Sequence, residues 1–334
     1  MGPYDPDRLQ LLDKTSGTRV DELARAVRAG LTATPRHFPC CFFYDAAGSA
    51  LFEQICELPE YYLTRSEGEI LRRHAPAIVA SVPPTAVLVE LGSGSATKTR
   101  LVIAAALARA PSLRYVPLDI CRVALQASAD ALLEDFPGLT IHAVAAEYDA
   151  GLPIVARLSD VPKLVLWLGS NVGNLHRPEA AAFLARVRAT MQADDRFLLG
   201  VDLRKGRVEL EAAYDDAAGV TAQFNLNLLT RINRELDADF DLEGFQHRAR
   251  YLEDVGRVEM HVVSQRAQRV RLGALDLEVA FAAGEAVHTE NSYKYSPAEI
   301  DALAQAGGFA VADRWLDGRG LFSVNLLRPI DGAS

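Results

Sequence analysis

The sequence predicts an α/β fold in which a mostly parallel sheet is closed by a C-terminal antiparallel hairpin and accompanied by a second α+β lobe. Short apolar runs alternate with helical stretches over residues 85–204, which is typical of parallel strands joined by crossover helices. After residue 205 this alternation gives way to helix, loop and strands with one solvated face. Two apolar runs, 309–316 and 321–327, then flank "DGRG", which is a hairpin signal.

The expected elements of the parallel sheet follow one another at short intervals. Strands are predicted at 85–92, 114–120, 140–148, 163–170 and 196–203, and helices between them at 98–110, 122–136 and 178–193. Near the C-terminus, Ser296, Pro297 and Glu299 predict a helix start, with the serine as N-cap and the glutamate completing a capping box. Gly307 and Gly308 are expected to end that helix.

The second lobe is expected to combine helices with antiparallel strands. Residues 206 to about 255 read as helix and loop, whereas 258–265 and 275–285 alternate like strands. We expect this insertion and the N-terminal residues to form one lobe over the carboxyl edge of the sheet, where open α/β sheets bind ligands. The expected bounds are 1–65 plus 205–290 for this lobe and 66–204 plus 291–334 for the core.

Composition and charge predict a cytoplasmic, metal-free monomer that acts on a small molecule. The 334 residues include 35 basic and 44 acidic ones, a net charge of −9, and no basic run suits nucleic acid or an anionic membrane. The N-terminal segment "MGPYDPDRLQLLDK" lacks an apolar signal core, and no apolar run reaches the roughly 20 residues that span a bilayer. No metal-ligand spacing occurs among the cysteines and histidines, for which we expect reduced thiols and surface or structural roles: Cys40, Cys41, Cys56, Cys121, His142, His176, His247, His261 and His288.

A glycine-rich loop, "VELGSGSATKTRLV" (89–102), includes the end of the first predicted strand. Dinucleotide loops read G-x-G-x-x-G, but here Thr97 replaces the third glycine after Gly92 and Gly94. S-adenosylmethionine has no pyrophosphate to cradle, and its ammonium group could be held by an acid such as Glu90. Five parallel strands closed by an antiparallel hairpin are typical of methyltransferases that use this ligand. We therefore favour S-adenosylmethionine over a nicotinamide dinucleotide, and a methyltransferase over a dehydrogenase.

Two more acids stand at the ends of successive predicted strands. Asp119, at the end of the second strand, is placed to bond the ribose hydroxyls, and Glu147, at the end of the third, could accept from the adenine amino group. Each acid alone has an alternative as a solvated strand-end residue. Three acids beside one glycine loop favour a cofactor site.

Several motifs resemble one family along nearly the whole chain. The stretch "FFYDAAGSALFEQICELPEYYLTRSEGEIL" is followed in order by "ELGSGSATKTR", "LGSNVGN", "AYDDAAGVTAQFNLNLLTRINREL", "VEM" and "TENSYKY". Together they resemble the histidine Nα-methyltransferase family of ergothioneine biosynthesis. The resemblance implies a Rossmann-like methyltransferase core, a substrate-binding second lobe, and transfer of three methyl groups from S-adenosyl-L-methionine to the α-amino group of L-histidine, giving hercynine.

The resemblance also implies how the amino-acid part of histidine is held. Tyr61, Asn174 and Tyr214 would bind its carboxylate and amine, with Tyr44 near the amine. Tyr44 and Tyr61 are the candidate catalytic residues. Hydroxyl and amide groups suit a zwitterion because they bind a carboxylate without excess charge. Tyr61 has an alternative as a core aromatic residue.

For the imidazole ring, the resemblance implies Glu290 and Ser292, in a pocket lined by Met260. A glutamate can accept the ring N–H and should favour imidazole over other rings. Met260 has an alternative as ordinary packing, and Glu290 as a solvated residue.

On the cofactor side, the resemblance carries over to Gly92, Lys98, Asp119 and Glu147. Where the family commonly has Asp-Phe, this chain has Glu147-Tyr148, which keeps a carboxylate and an aromatic ring, so both are assigned to the cofactor. Asn171 replaces a common threonine or serine. Two alternative functions remain: methylation of another amino acid such as tryptophan, and a non-catalytic regulator that binds S-adenosylmethionine.

Overall fold

The computed structural model describes residues 5–15, 19–157 and 161–330, which form two compact units. The first unit comprises the described residues within Met1–Thr15, Leu63–Arg204 and Lys294–Ser334, and the second those within Ser16–Tyr62 and Lys205–Tyr293. Of the helices in these described ranges, none is long and apolar enough to cross a membrane. Residues 1–4 of the N-terminal segment "MGPYDPDRLQLLDK", for which no signal core was predicted, lie outside the described residues.

The first unit is built on an eight-stranded sheet. Numbered along the whole chain, its strands are β1 (Leu9–Asp13), β2 (Val87–Leu91), β3 (Leu113–Asp119), β4 (Leu139–Ala145), β5 (Lys163–Trp167), β6 (Arg196–Asp202), β12 (Phe309–Leu316) and β13 (Phe322–Pro329). Their order in the sheet is β1-β4-β3-β2-β5-β6-β13-β12. The strands from β1 to β6 pair in parallel, whereas β13 pairs antiparallel with both β6 and β12. The predicted parallel sheet with a closing C-terminal hairpin is confirmed.

Burial explains why this sheet forms. Every residue of β2 and of β5 is buried, as expected for central parallel strands covered on both faces. The helices of this unit are α3 (Tyr62–Ala80, from Leu63 onward), α4 (Thr99–Leu107), α5 (Arg122–Asp135), α6 (Tyr148–Arg157), α7 (Arg177–Ala189) and α10 (Pro297–Ala306). The chain order reverses between β2 and β5, and ligands of open α/β sheets bind at the carboxyl ends of strands at such a switch point.

The start of α10 matches its prediction. The Ser296 hydroxyl accepts the Glu299 N–H at 3.3 Å, and the Glu299 carboxylate accepts the Ser296 N–H at 2.7 Å, so the capping box is present. Pro297 occupies the first turn, where its missing N–H has no helical partner to lose.

The N-terminal strand departs from the prediction. Residues 1–65 were expected in the second lobe, but β1 pairs in parallel with β4 at the edge of the large sheet, from Leu9 opposite Ile141 to Asp13 opposite Ala145. The side chain of Arg8 secures this edge by donating to the Leu139 and Phe136 carbonyls at 2.9 and 2.6 Å. The sequence "LQLLD" was not recognised as a strand because its residues are only half-buried or exposed, so the segment lacks the continuous apolar run of a central strand.

The second unit combines four helices with two small antiparallel sheets. The helices are α1 (Arg19–Thr32), α2 (Ala46–Glu57), α8 (Arg207–Tyr214) and α9 (Val220–Leu236), and the strands are β7 (Phe245–Leu252), β8 (Arg257–Ser264), β9 (Gln268–Leu272), β10 (Leu277–Phe281) and β11 (Ala286–Tyr293). One sheet has the order β11-β8-β7 and the other pairs β9 with β10. The expectation of helix and loop up to about residue 255 is wrong for β7, whose buried Phe245 and Tyr251 are separated by exposed Gln246, Arg248 and Arg250. Strands β9 and β11 were also not predicted.

Candidate functional site

The glycine-rich loop joins β2 to α4 at the switch point of the large sheet. Gly92 and Gly94 both have left-handed backbone, with φ of 71° and 49°, which glycine adopts without steric cost. A Cβ on Gly92 would lie 2.7 Å from the Tyr148 hydroxyl and 3.0 Å from Nδ2 of Asn171, so this position also requires glycine for space. Beside Gly94, by contrast, a Cβ would meet nothing within 4 Å. The loop therefore has open space on its Gly94 side.

Asp119, the last residue of β3, holds the loop in place. One carboxylate oxygen accepts the Gly94 N–H at 2.9 Å, and the other accepts the Cys121 N–H at 2.9 Å. Each carboxylate oxygen has a second lone pair, so these bonds leave capacity for ligand hydroxyls. The strand-end position predicted from the sequence is thus joined directly to the loop.

Glu90 differs from its predicted placement. Its carboxylate lies inside the protein, 3% exposed, and accepts the hydroxyls of Thr99 (2.6 Å) and Tyr115. Burial raises the pKa of Glu90 to about 7. The side chain connects β2, β3 and the first residue of α4 instead of facing a ligand.

Lys98 and a buried glutamate lie together at the end of the loop. Lys98 forms an ion pair with Glu67 of α3, whose side chain is completely buried, while that of Lys98 is 22% exposed. Both Glu67 oxygens also accept the N–H of Gly169, at 3.0 and 2.9 Å, just beyond β5. Glu67 was missed in the sequence because a glutamate on an amphipathic helix normally reads as solvated.

Glu147 and Tyr148 follow β4 in adjacent but different settings. Glu147 is exposed, and Tyr148 is the first residue of α6. The Tyr148 hydroxyl accepts the indole N–H of Trp167 at 3.3 Å, and its ring packs against Phe183. A Cβ at Gly92 would meet the Tyr148 hydroxyl, so the segment after β4 lies beside the glycine-rich loop that follows β2.

In the second unit, β8 and β11 bring three of the predicted residues together. Glu290 lies directly opposite Met260, and Ser292 lies opposite Val258 in the antiparallel ladder. Directly opposed side chains share a face of the sheet, as do residues two apart on one strand. Met260, Glu290 and Ser292 therefore share one face.

A β-bulge sets this arrangement. Regular pairing after His288 would place Thr289 opposite Met260 and Glu290 opposite Glu259, which would oppose two carboxylates. The register instead shifts between His288 and Glu290, so that Thr289 is the extra residue. Glu290 thereby occupies the position opposite Met260.

Tyr214, the last residue of α8, joins the same face. Its hydroxyl lies 2.8 Å from that of Ser292, and both side chains are buried. Its carbonyl accepts Nε2–H of His247 at 2.8 Å, while Nδ1 of His247 accepts the Asn225 amide at 2.8 Å. Burial lowers the pKa of His247, which keeps the ring neutral between these two hydrogen bonds. From the sequence we expected only a surface or structural role for His247, and its bond to Tyr214 was not predicted.

The remaining tyrosines belong to an aromatic cluster of the second unit. The Tyr61 ring lies 6.2 Å from that of Tyr214, and Phe52 connects Tyr61 with Tyr44 at 6.2 and 5.8 Å between centroids. Burial raises the pKa of Tyr61 well above its usual range, and neighbouring Tyr214, Cys56, Tyr44 and Glu290 add to the shift. The Tyr61 hydroxyl therefore stays protonated at physiological pH.

Asn174 is the one predicted substrate residue that lies in the first unit, at the end of the 3₁₀ turn Asn171–Asn174 that follows β5. Tyr44, Tyr61, Tyr214, Met260, Glu290 and Ser292 all belong to the second unit. Within the described ranges, no group of three His, Cys, Asp or Glu side chains could hold a metal ion, and no disulfide links the cysteines.

Comparison with known proteins identifies a family to which this chain is similar. The model of a family described as "Histidine-specific methyltransferase, SAM-dependent" matches residues 23–329. Histidine N-alpha-methyltransferase of Mycolicibacterium smegmatis is 44% identical over 92% of this chain and 94% of that protein. Ergothioneine biosynthesis protein 1 of Neurospora crassa is 30% identical over 85% of this chain, which spans 32% of the fungal protein. L-tryptophan methyltransferase trpM of Psilocybe serbica is 27% identical over 97% of this chain and 99% of that protein.

Proposed function

This chain belongs to the family of histidine-specific, S-adenosylmethionine-dependent methyltransferases, and we propose that it trimethylates the α-amino group of L-histidine to hercynine, a step of ergothioneine biosynthesis. The observation that carries the proposal is the shared face of Glu290, Ser292 and Met260, with the Tyr214 hydroxyl beside that of Ser292. That face offers a carboxylate for a ring N–H, hydroxyls for polar atoms and an apolar wall.

The residues of the first unit fit the methyl donor. The open side of Gly94 gives room for a ligand, Asp119 can accept ribose hydroxyls, and Lys98 can meet the carboxylate of a methionine tail. Glu147 and Tyr148 would contact the adenine. When bound, S-adenosylmethionine supplies an electrophilic methyl group on a sulfonium. We assign Glu90 to support of the loop, because both of its oxygens bond within the protein.

Recognition of histidine divides between its ring and its amino-acid part. Glu290 would accept the imidazole N–H, with Ser292 as a second polar contact and Met260 against the ring. Tyr61, Tyr214 and Asn174 would bind the carboxylate and amine through neutral groups. Neutral contacts suit a nitrogen that passes through three methylation states and ends as a quaternary ammonium.

The attacking amine must be neutral, although a free α-amino group has a pKa of about 8 and is mostly protonated at pH 7. Tyr61 is unsuited to remove the proton as a tyrosinate, because its raised pKa keeps the hydroxyl protonated. We propose that the proton leaves to water while the hydroxyls of Tyr44 and Tyr61 orient the lone pair. Alignment of the lone pair with the breaking C–S bond is then the main contribution of the protein.

Mass spectrometry of the purified protein with S-adenosylmethionine and each of the twenty amino acids tests the proposal. We expect mass gains of one, two and three methyl groups on histidine, with the trimethyl form accumulating. Methylation of tryptophan in place of histidine would support the alternative substrate, and binding without any methylation would indicate a regulator.

We also propose that the protein acts as a metal-free monomer in the cytoplasm. The net charge of −9 supports a monomer, because like charges keep copies of the chain apart. Light scattering after gel filtration would measure the oligomeric state, and activity after chelation would test the independence from metal.

A further inference from the structure

Glu67 is a completely buried carboxylate at the switch point of the large sheet. Its partners are the Lys98 ammonium and the N–H of Gly169, which lie at the carboxyl ends of β2 and β5. Room for it depends on Gly200 of β6, because a Cβ there would lie 2.0 Å from Oε1 of Glu67. Gly200, Gly169 and Lys98 therefore together accommodate the buried carboxylate of Glu67.

The two members of the ion pair differ in what they can contact. Glu67 is 0% exposed, so it cannot touch a ligand, whereas Lys98 is 22% exposed at the end of the glycine loop. An ammonium has three N–H donors, so one lysine can serve both Glu67 and a ligand carboxylate. A lysine without such an anchor loses more side-chain rotamer entropy when a ligand fixes it.

The charge around Lys98 also depends on Glu67. The Glu67 carboxylate and the Lys98 ammonium carry opposite charges, so the ion pair adds no net charge beside the glycine loop, which suits a zwitterionic amino-acid tail.

We propose that Glu67 is a positioning residue that fixes the Lys98 ammonium for the α-carboxylate of the methionine part of S-adenosylmethionine. This inference rests on the proposed function, since it assumes the methyl donor at the glycine loop. Glu67 acts only through Lys98 and the Gly169 backbone, so its effect should be confined to ligands that possess the amino-acid tail.

Two ligands separate this role from a structural one. S-adenosylhomocysteine carries the amino-acid tail, whereas 5′-methylthioadenosine shares the adenosine and thioether but lacks the tail. Isothermal titration of both with the wild type and Glu67→Gln gives the ratio of their Kd values. The glutamine keeps the shape and an acceptor for Gly169 but removes the charge that holds Lys98. We expect S-adenosylhomocysteine to bind about tenfold more weakly, with 5′-methylthioadenosine unchanged within about twofold.

Asp195→Asn is a matched control. Asp195 forms a buried ion pair with Lys163, the first residue of β5, at 3.0 Å, so this pair lies at the opposite end of β5 from Gly169. The Asp195→Asn variant should lower the free energy of unfolding without changing the Kd ratio. If Glu67→Gln does not fold, Glu67→Asp, which retracts the charge by one methylene, should shift the ratio in the same direction.

The possible failures are distinguishable. Equal weakening of both ligands, or no weakening of either, in a folded Glu67 variant would overturn the positioning role while leaving the cofactor assignment intact. A wild-type protein that binds neither ligand would overturn the cofactor assignment and the inference together.

Discussion

Truncation of Glu290 should change which amino acid the enzyme prefers. Glu290→Ala removes the carboxylate that lies opposite Met260 on the face shared with Ser292. If that carboxylate accepts the imidazole N–H, histidine loses a hydrogen bond to a charged group, which contributes about 1.5–3 kcal/mol. At about 1.4 kcal/mol per decade, kcat/KM for histidine should fall roughly tenfold to a hundredfold.

The same variant should discriminate less strongly against a larger ring such as the indole of tryptophan. The shortened side chain leaves room beside Met260 for the larger indole ring. The ratio of kcat/KM for tryptophan to that for histidine should therefore rise, and Glu290→Gln, which keeps the volume, should lower histidine turnover with a smaller rise in this ratio. Steady-state methyl transfer to both amino acids measures the two ratios, and calorimetry with S-adenosylhomocysteine checks that the cofactor side is intact.

Glu259→Ala provides the matched control for Glu290. Glu259 lies on the neighbouring strand opposite Asn291, on the other face of the same sheet, and pairs with Arg257. Its side chain, 17% exposed, lies on the face opposite to Glu290, so its removal should leave the kinetics with histidine within about twofold. Wild-type histidine kinetics in Glu290→Ala would refute the reasoning, because Glu290 would then be a solvated residue with no part in selecting the ring.

Three other substitutions test neighbouring parts of the structure. Asp119→Ala removes the acceptor of the Gly94 N–H and, on the proposed assignment, the acceptor of two ribose hydroxyls. S-adenosylmethionine affinity in calorimetry should therefore fall at least tenfold, and unchanged affinity in the folded variant would exclude Asp119. His247→Ala leaves the Tyr214 carbonyl without its buried donor, so KM for histidine should rise about tenfold while S-adenosylhomocysteine affinity is retained, and an unchanged KM would argue against this support. Because burial raises the pKa of Glu90 from 4.5 to about 7, the folded protein binds the proton more tightly and the free energy of unfolding should fall as pH rises across that window. Glu90→Gln should remove this decrease in denaturant titrations at pH 5 and 7.5, and a parallel pH dependence in both proteins would contradict it.

The core of the first unit could be predicted because its signals are local. Apolar runs such as "KLVLW" are buried along their whole length in β5, and the capping box at Ser296 depends on four consecutive residues. The order of the motifs along the chain likewise predicted the family, and the family model confirms it. Strands β1 and β7 were missed because tertiary contacts decide them. β1 is a five-residue edge strand that needs β4 beside it, and β7 is largely polar on its outer face.

The contacts among the candidate site residues could not be predicted from the sequence. Asp119 was assigned to the cofactor from its position at the end of a predicted strand and Lys98 from the family resemblance, yet Glu67 is far from both in sequence. Burial decides its role, and a single sequence shows only an acid on a helix. The structural role of Glu90 was missed for the same reason, since its partners Thr99 and Tyr115 come from two other elements.

The bulge in β11 has a chemical consequence that no alternation pattern contains. A regular strand would carry His288, Glu290 and Ser292 on one face, and an imidazole of the protein would then lie beside the carboxylate proposed for the imidazole of the substrate. With Thr289 inserted, His288 lies opposite His261, 5.4 Å away between ring centroids, and its Nε2 lies 2.9 Å from Oδ1 of Asn291. Glu290 and Ser292 keep the other face. The extra residue thus keeps the His288 ring away from Glu290. A regular strand would make these two side chains neighbours on one face, whereas the bulge places them on opposite faces of the sheet.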